Sequence, residues 1–128
     1  MKPGDTNVPE VMSGGCERLA PVLSRIGDKW TVLVIILLGR RSMRFNELKR
    51  QIGSISQRML TFTLRGLERD GLVKRTVQAS VPPRVDYELT PLGFSLLEPL
   101  QHLGSWAVAN MPEIEASQER YDAEVEAA

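Results

Sequence analysis

Residues 44–71, RFNELKRQIGSISQRMLTFTLRGLERDG, decide the fold. Phe45, Leu48 and Ile52 stand at i, i+3 and i+7, which gives a short helix one apolar face. Gly53 and Ser54 then interrupt the pattern, and glycine supplies the positive φ that a tight turn needs. Ser56 follows as an N-cap, its hydroxyl placed to accept a backbone N–H two or three residues on. Leu60, Leu64 and Leu67 mark the buried face of a second helix, which Asp70-Gly71 closes. Gln57, Arg58, Thr61 and Arg65 fall on the opposite face. Two short helices around a glycine turn make a helix-turn-helix, and long polar and basic side chains near the start of its second helix suit a DNA major groove.

Downstream, Val73, Arg75 and Val77 alternate with Lys74, Thr76 and Gln78, and a second alternating run carries Val85, Tyr87 and Leu89. The turn-rich Ala79-Ser80-Val81-Pro82-Pro83 lies between them, so the pair reads as a β-hairpin. A hairpin directly after such a helix is a wing. Thr90 then caps a further helix with Pro91 at its first position. Leu92, Leu96, Leu100, Leu103 and Trp106 line one side of it, Pro99 is expected to kink it, and Met111-Pro112 to break it. Upstream, Leu19, Val22, Leu23 and Ile26 form the stripe of an amphipathic helix ended by Gly27. Asp28 caps the next element, Lys29 to Leu38. Its run TVLVIILL does not separate strand from helix by periodicity; we assign a helix because the neighbouring stripes need one to pack on. Met43-Arg44 reads as a minimal strand.

The expected fold is therefore mainly α with a small β-hairpin (α+β). Residues 1–15 form a Gly/Pro-containing arm expected to be mobile, 16–111 the winged helix-turn-helix domain with its terminal helices, and 112–128 an acidic tail with a weak helical stripe through Ile114, Tyr121 and Val125.

Sixteen basic and sixteen acidic side chains cancel over the chain, but not locally. Residues 40–84 hold eleven basic and three acidic side chains, whereas residues 85–128 hold one and nine. The basic block coincides with the helix-turn-helix, as a DNA-binding face requires; a solvated helix surface with an acidic tail folded back on it fits the charge equally well. The single cysteine, Cys16, excludes an internal disulfide and suits a reducing cytosol. No signal pattern precedes the domain, and Val32–Leu38 is too short to span a bilayer, so a cytoplasmic protein without membrane association is expected. One histidine (His102) and one cysteine provide no catalytic triad and no zinc spacing, and no phosphate-cradling glycine pattern occurs. The reading is of a non-enzyme without cofactor or metal.

Four motifs taken together, GDKW at 27–30, ISQR at 55–58, LERDGLV at 67–73 and PPRVDYELT at 82–90, resemble the HxlR-type winged helix-turn-helix regulators of bacteria. The match runs from about Cys16 to Trp106. It implies a homodimeric transcription regulator, related in fold to MarR-type regulators, with its dimer interface on the first and last helices. Here those would be Leu19, Val22, Leu23 and Ile26, and Leu96, Leu100, Leu103 and Trp106. Two departures stand out: Phe62, where the family usually carries a polar residue such as Gln, and Gly66 in place of a usual Glu.

With the resemblance, the candidate base contacts are Gln57, Arg58, Thr61 and Phe62, the last through a thymine methyl. Arg58 is the candidate for a bidentate guanine contact. Arg44, Lys49, Arg50 and Arg65 are candidates for phosphates, Ser56 is first a cap and second a contact, and Arg84 at the wing tip suits phosphates or a minor groove. Helix 56–70 would lie in the major groove of a palindromic operator, with wing 79–84 on the backbone or in the minor groove. Cys16 precedes the first helix, where the helix dipole favours a thiolate. Some relatives use a cysteine at this place to sense quinones, electrophiles or oxidants, so Cys16 is a candidate redox sensor beside its reading as a small buried apolar residue. Two other functions stay open: a winged helix that docks an acidic protein, and a MarR-like sensor of a small aromatic ligand.

Overall fold

The computed structural model describes residues 16–127, with only the backbone of Cys16. The arm assigned to residues 1–15 lies outside the described residues. In chain order the elements are α1 (Cys16–Ile26), α2 (Lys29–Leu38), β1 (Met43–Arg44), α3 (Phe45–Ile52), α4 (Gln57–Arg69), β2 (Val73–Gln78), β3 (Arg84–Leu89) and α5 (Pro91–Ala127). The strands form one antiparallel sheet in the order β1-β3-β2, with Met43 opposite Tyr87 and Val73 opposite Leu89. This is a winged helix-turn-helix, and the fold class expected from the sequence holds.

The ambiguous apolar run is a helix. Asp28 decides its start, accepting the backbone N–H groups of Trp30 at 3.0 Å and Thr31 at 3.2 Å, which satisfies donors that a strand would not present together. Thr31, Val34, Ile35 and Leu38 on this helix are buried, so α2 is the central post of the core. Leu48 of α3, Leu60, Leu64 and Leu67 of α4, Val73 of β2 and Leu89 of β3 pack into the same cluster. Ile55, in the turn before α4, is also buried there. Gly53 makes the turn possible with φ at 83°, a backbone state that costs any residue with a Cβ.

Two expectations about the last helix need correcting. It does not break at Met111-Pro112: α5 continues through Pro99 and Pro112 to Ala127. A proline removes one backbone donor, but the good helix formers around Pro112 (Ala107, Ala109, Met111, Glu113, Glu115, Ala116) carry the helix on either side. Nor do the five stripe residues share one fate. Leu100 is 4% exposed inside the subunit's own core and Leu96 packs against that core, whereas Leu92, Leu103 and Trp106 are each more than half exposed. Leu100 is therefore not available on an outer face. Leu97, outside the expected stripe, takes its place beside Leu96 against the core.

Candidate nucleic-acid interface

α4 divides its residues cleanly. Leu60, Thr63, Leu64, Gly66 and Leu67 are buried, while Gln57, Arg58, Phe62 and Arg65 are exposed and Thr61 half-buried. Positions 57, 58, 61, 62 and 65 share one face at helical spacing, so packing of the back fixes which side chains are presented. Ser56 holds the start of this helix: its Oγ accepts the Met59 N–H at 3.0 Å. That leaves the hydroxyl hydrogen free and the cap in place. Phe62 is 66% exposed and sets an aromatic ring among the polar side chains of this face.

The last turn of α3 carries Lys49 and Arg50, with Arg50 exposed and Lys49 half-buried. Between α3 and the wing runs an open groove of about 910 Å³, lined on one side by Arg44, Asn46, Glu47 and Arg50 and on the other by the wing from Gln78 to Val85. The groove brings Arg44, Arg50 and Arg84 together. It does not include the α4 residues, which form their own face, nor Lys49, which borders a separate shallow depression with Asn46, Arg50 and Gly53.

Two of the acidic groups near this surface, Glu47 and Asp86, are occupied. Glu47 accepts the Arg44 backbone N–H at 3.2 Å and pairs with Arg41 at 2.9 Å. The N–H first, and then the Arg41 guanidinium, hold its carboxyl below the usual carboxylate range. Asp86 accepts from Arg84 Nε at 3.2 Å and from Gln78 Nε2 at 3.1 Å. Arg84, expected as a free contact at the wing, thus has its charge partly offset by its own strand. Arg40, Arg44, Arg50, Arg58 and Arg65 enter no ion pair among the described residues, so the net field of this surface remains positive.

Arg25 was not among the sequence candidates, yet it touches the recognition element from behind. Its guanidinium lies against Gly66 of α4, so closely that a Cβ there would collide with it, and its Nε pairs with Asp70 Oδ2 at 2.7 Å. The legible signal was Gly66 itself, since a glycine inside an amphipathic helix often marks a close approach.

The apolar residues assigned to a dimer interface divide as well. Val22 is 55% and Leu23 47% exposed on α1, whereas Leu19 and Ile26 are half-buried. With Leu92, Leu103 and Trp106 they leave large apolar side chains uncovered on α1 and α5. Cys16 begins α1. No helix among the described residues is long and apolar enough to cross a membrane.

The HxlR-like helix-turn-helix family model matches residues 25–115. The HTH-type transcriptional regulator YtfH of Escherichia coli K12 is 40% identical over 93 residues, covering 73% of this chain and 74% of that protein. The solved structure of the redox regulator HypR in its reduced form superposes with a TM-score of 0.72 at 38% identity, covering 77% of this chain and 98% of HypR. The diamide-treated YodB of B. subtilis gives 0.64 at 34%, covering 74% and 94%.

Proposed function

The chain belongs to the HxlR-like helix-turn-helix family of transcriptional regulators, and we propose that it binds a palindromic operator in double-stranded DNA as a cytoplasmic homodimer. The observation that carries this reading is the exposed face of α4. Gln57, Arg58, Thr61, Phe62 and Arg65 stand together on a helix whose start is capped and whose back is packed. The helix backbone is ordered before binding, so only the side chains themselves are left to be fixed on base edges. Arg44, Lys49 and Arg50 supply phosphate contacts beside it, and the wing with Arg84 follows the backbone. The uncovered side chains of α1 and α5 (Val22, Leu23, Leu103 and Trp106) supply the dimer contact, with Leu19, Ile26 and Leu96 at its inner edge. Nothing in the reading calls for catalysis, metal or cofactor.

Selection of duplexes from a random pool by the full-length protein tests it. Enrichment of an inverted repeat with half-sites about 10–10.5 bp apart, or a multiple, is expected. A pool that stays unenriched while an acidic protein is bound would favour the protein-docking use of the same basic face.

Cys16 opens α1, and HypR and YodB are a redox regulator and a regulator solved after diamide treatment. On that basis Cys16 is the proposed oxidant-responsive residue. Diamide should change the DNA affinity of the parent protein and leave the Cys16→Ser protein unchanged; an identical response in both would remove Cys16 from the account.

A further inference from the structure

The tip of the wing, Ala79-Ser80-Val81-Pro82-Pro83, is apolar where a phosphate-following loop would be basic. No charged residue occurs from Thr76 to Pro83, and Val81 is completely exposed. Gln78 and Arg84 face each other across the hairpin at its foot. Both are tied to Asp86 on β3: Gln78 Nε2 donates to Oδ2 at 3.1 Å and Arg84 Nε to the same oxygen at 3.2 Å. Pro82 and Pro83 have no backbone N–H. The tip therefore lacks the cations, and two of the donors, with which proteins hold phosphates.

The tip is also held in shape. The Ser80 hydroxyl donates to the Pro82 carbonyl at 2.7 Å and the Ser80 N–H to the Gln78 carbonyl at 2.9 Å. Each proline fixes its own φ, so little conformational freedom is left to lose on binding.

Its surroundings define the partner. The groove of about 910 Å³ has Arg44 and Arg50 on the α3 side and the wing on the other. Neither arginine enters an ion pair among the described residues. A sugar-phosphate strand matches that groove by charge. In a duplex such a strand divides the major groove from the minor groove. With α4 in the major groove on one side of it, the wing tip meets the minor groove on the other. A lone exposed valine is ordinary. Val81, Pro82 and Pro83 in a row, beside a groove with unpaired cations, make the kind of apolar wedge that parts a base step from the minor groove and kinks the duplex.

We propose that Val81, backed by Pro82, is such a wedge, and that it makes the protein select a deformable base step beside the bases that α4 faces. Pyrimidine–purine steps, TA and CA/TG, part most easily, so sequence is read there through deformability and not through hydrogen bonds. The proposal rests on the DNA-binding reading above and assigns the tip a part in specificity within it.

Energy transfer between dyes at the two ends of a selected duplex, bound by the full-length protein, tests the wedge. The parent should bring the ends closer than in free DNA. It should also bind a duplex with TA at the step under the tip about tenfold tighter than one with the stiffer AA there. Val81→Ser should lose most of the bend and bring that ratio close to one, while the preference for the bases under α4 stays. Val81→Ile should keep both bend and ratio. A residue that only shapes the loop would weaken all duplexes alike and would leave the ratio where it was. A selected duplex that stays straight in the parent complex, or a bend and ratio that Val81→Ser retains, would overturn the wedge and leave the DNA reading standing. A parent protein with no preferred duplex would remove the DNA reading, and the wedge with it.

Discussion

Thr90 fastens the end of the wing to the end of the recognition helix through Gly71. Its hydroxyl donates to the Gly71 carbonyl at 2.6 Å and at the same time accepts the Gly93 N–H at 3.1 Å. One side chain thus closes the loop after α4 and caps α5, while the Thr90 N–H reaches the Leu72 carbonyl at 3.1 Å. Helix, wing and last helix meet at this point, so the wing's position relative to α4 depends on it.

Replacing Thr90 by Val keeps the shape and removes both hydroxyl bonds. It should destabilise the fold by about 1–2 kcal/mol, the usual cost of a lost cap with a partly buried donor left unpaired. Urea unfolding of Thr90→Val and Thr90→Ser would show it. The Ser protein, which keeps the hydroxyl, should lie close to the parent.

Gly66→Ala sets two effects against each other. Alanine favours the helix by roughly 1 kcal/mol, but its methyl displaces the Arg25 guanidinium and breaks a partly exposed ion pair worth at most about 1 kcal/mol. Stability should change little. The diagnostic result is in the double-mutant cycle: Asp70→Asn costs stability in the parent and nothing further in Gly66→Ala.

Glu47 carries a pH dependence of known sign. Its carboxyl is held low by the Arg44 N–H and Arg41, so the folded state favours the ionised form. The contribution is complete above the usual carboxylate range and is lost as pH falls through the lowered folded value. Unfolding midpoints of the parent and Glu47→Gln should differ at neutral pH and converge in acid. A gap that persists in acid would mean that packing, not charge, sets the difference.

Local rules made most of the fold legible. The caps at Asp28, Ser56 and Thr90 and the turn at Gly53 act within a few residues, and each formed as its chemistry requires; the two wing strands formed as well, but past Val73 the alternation does not separate a buried from an exposed face, and Val77 is exposed. The exposed face of α4 was legible for the same reason, since burial of Leu60, Leu64 and Leu67 leaves only one other side. What stayed hidden was non-local. Arg25 and Asp70 are 45 residues apart, and no spacing rule pairs them. Leu100 and Leu103 are equivalent by spacing, yet the core takes up the first and leaves the second exposed. The length of α5 is set by the helix formers on both sides of Pro112 together, which a rule for the proline alone does not capture.

The most direct test of the central claim is competition binding of the parent, Arg58→Ala and Lys49→Ala proteins to a selected duplex and to random DNA, at two salt concentrations. If α4 reads bases, Arg58→Ala should lose about 1–3 kcal/mol on the selected duplex and little on random DNA, while Lys49→Ala weakens both alike and lowers the salt slope by about 1. An unchanged ratio of selected to random affinity in Arg58→Ala would contradict base reading by that residue, and equal parent affinity for both duplexes would contradict sequence-specific binding altogether.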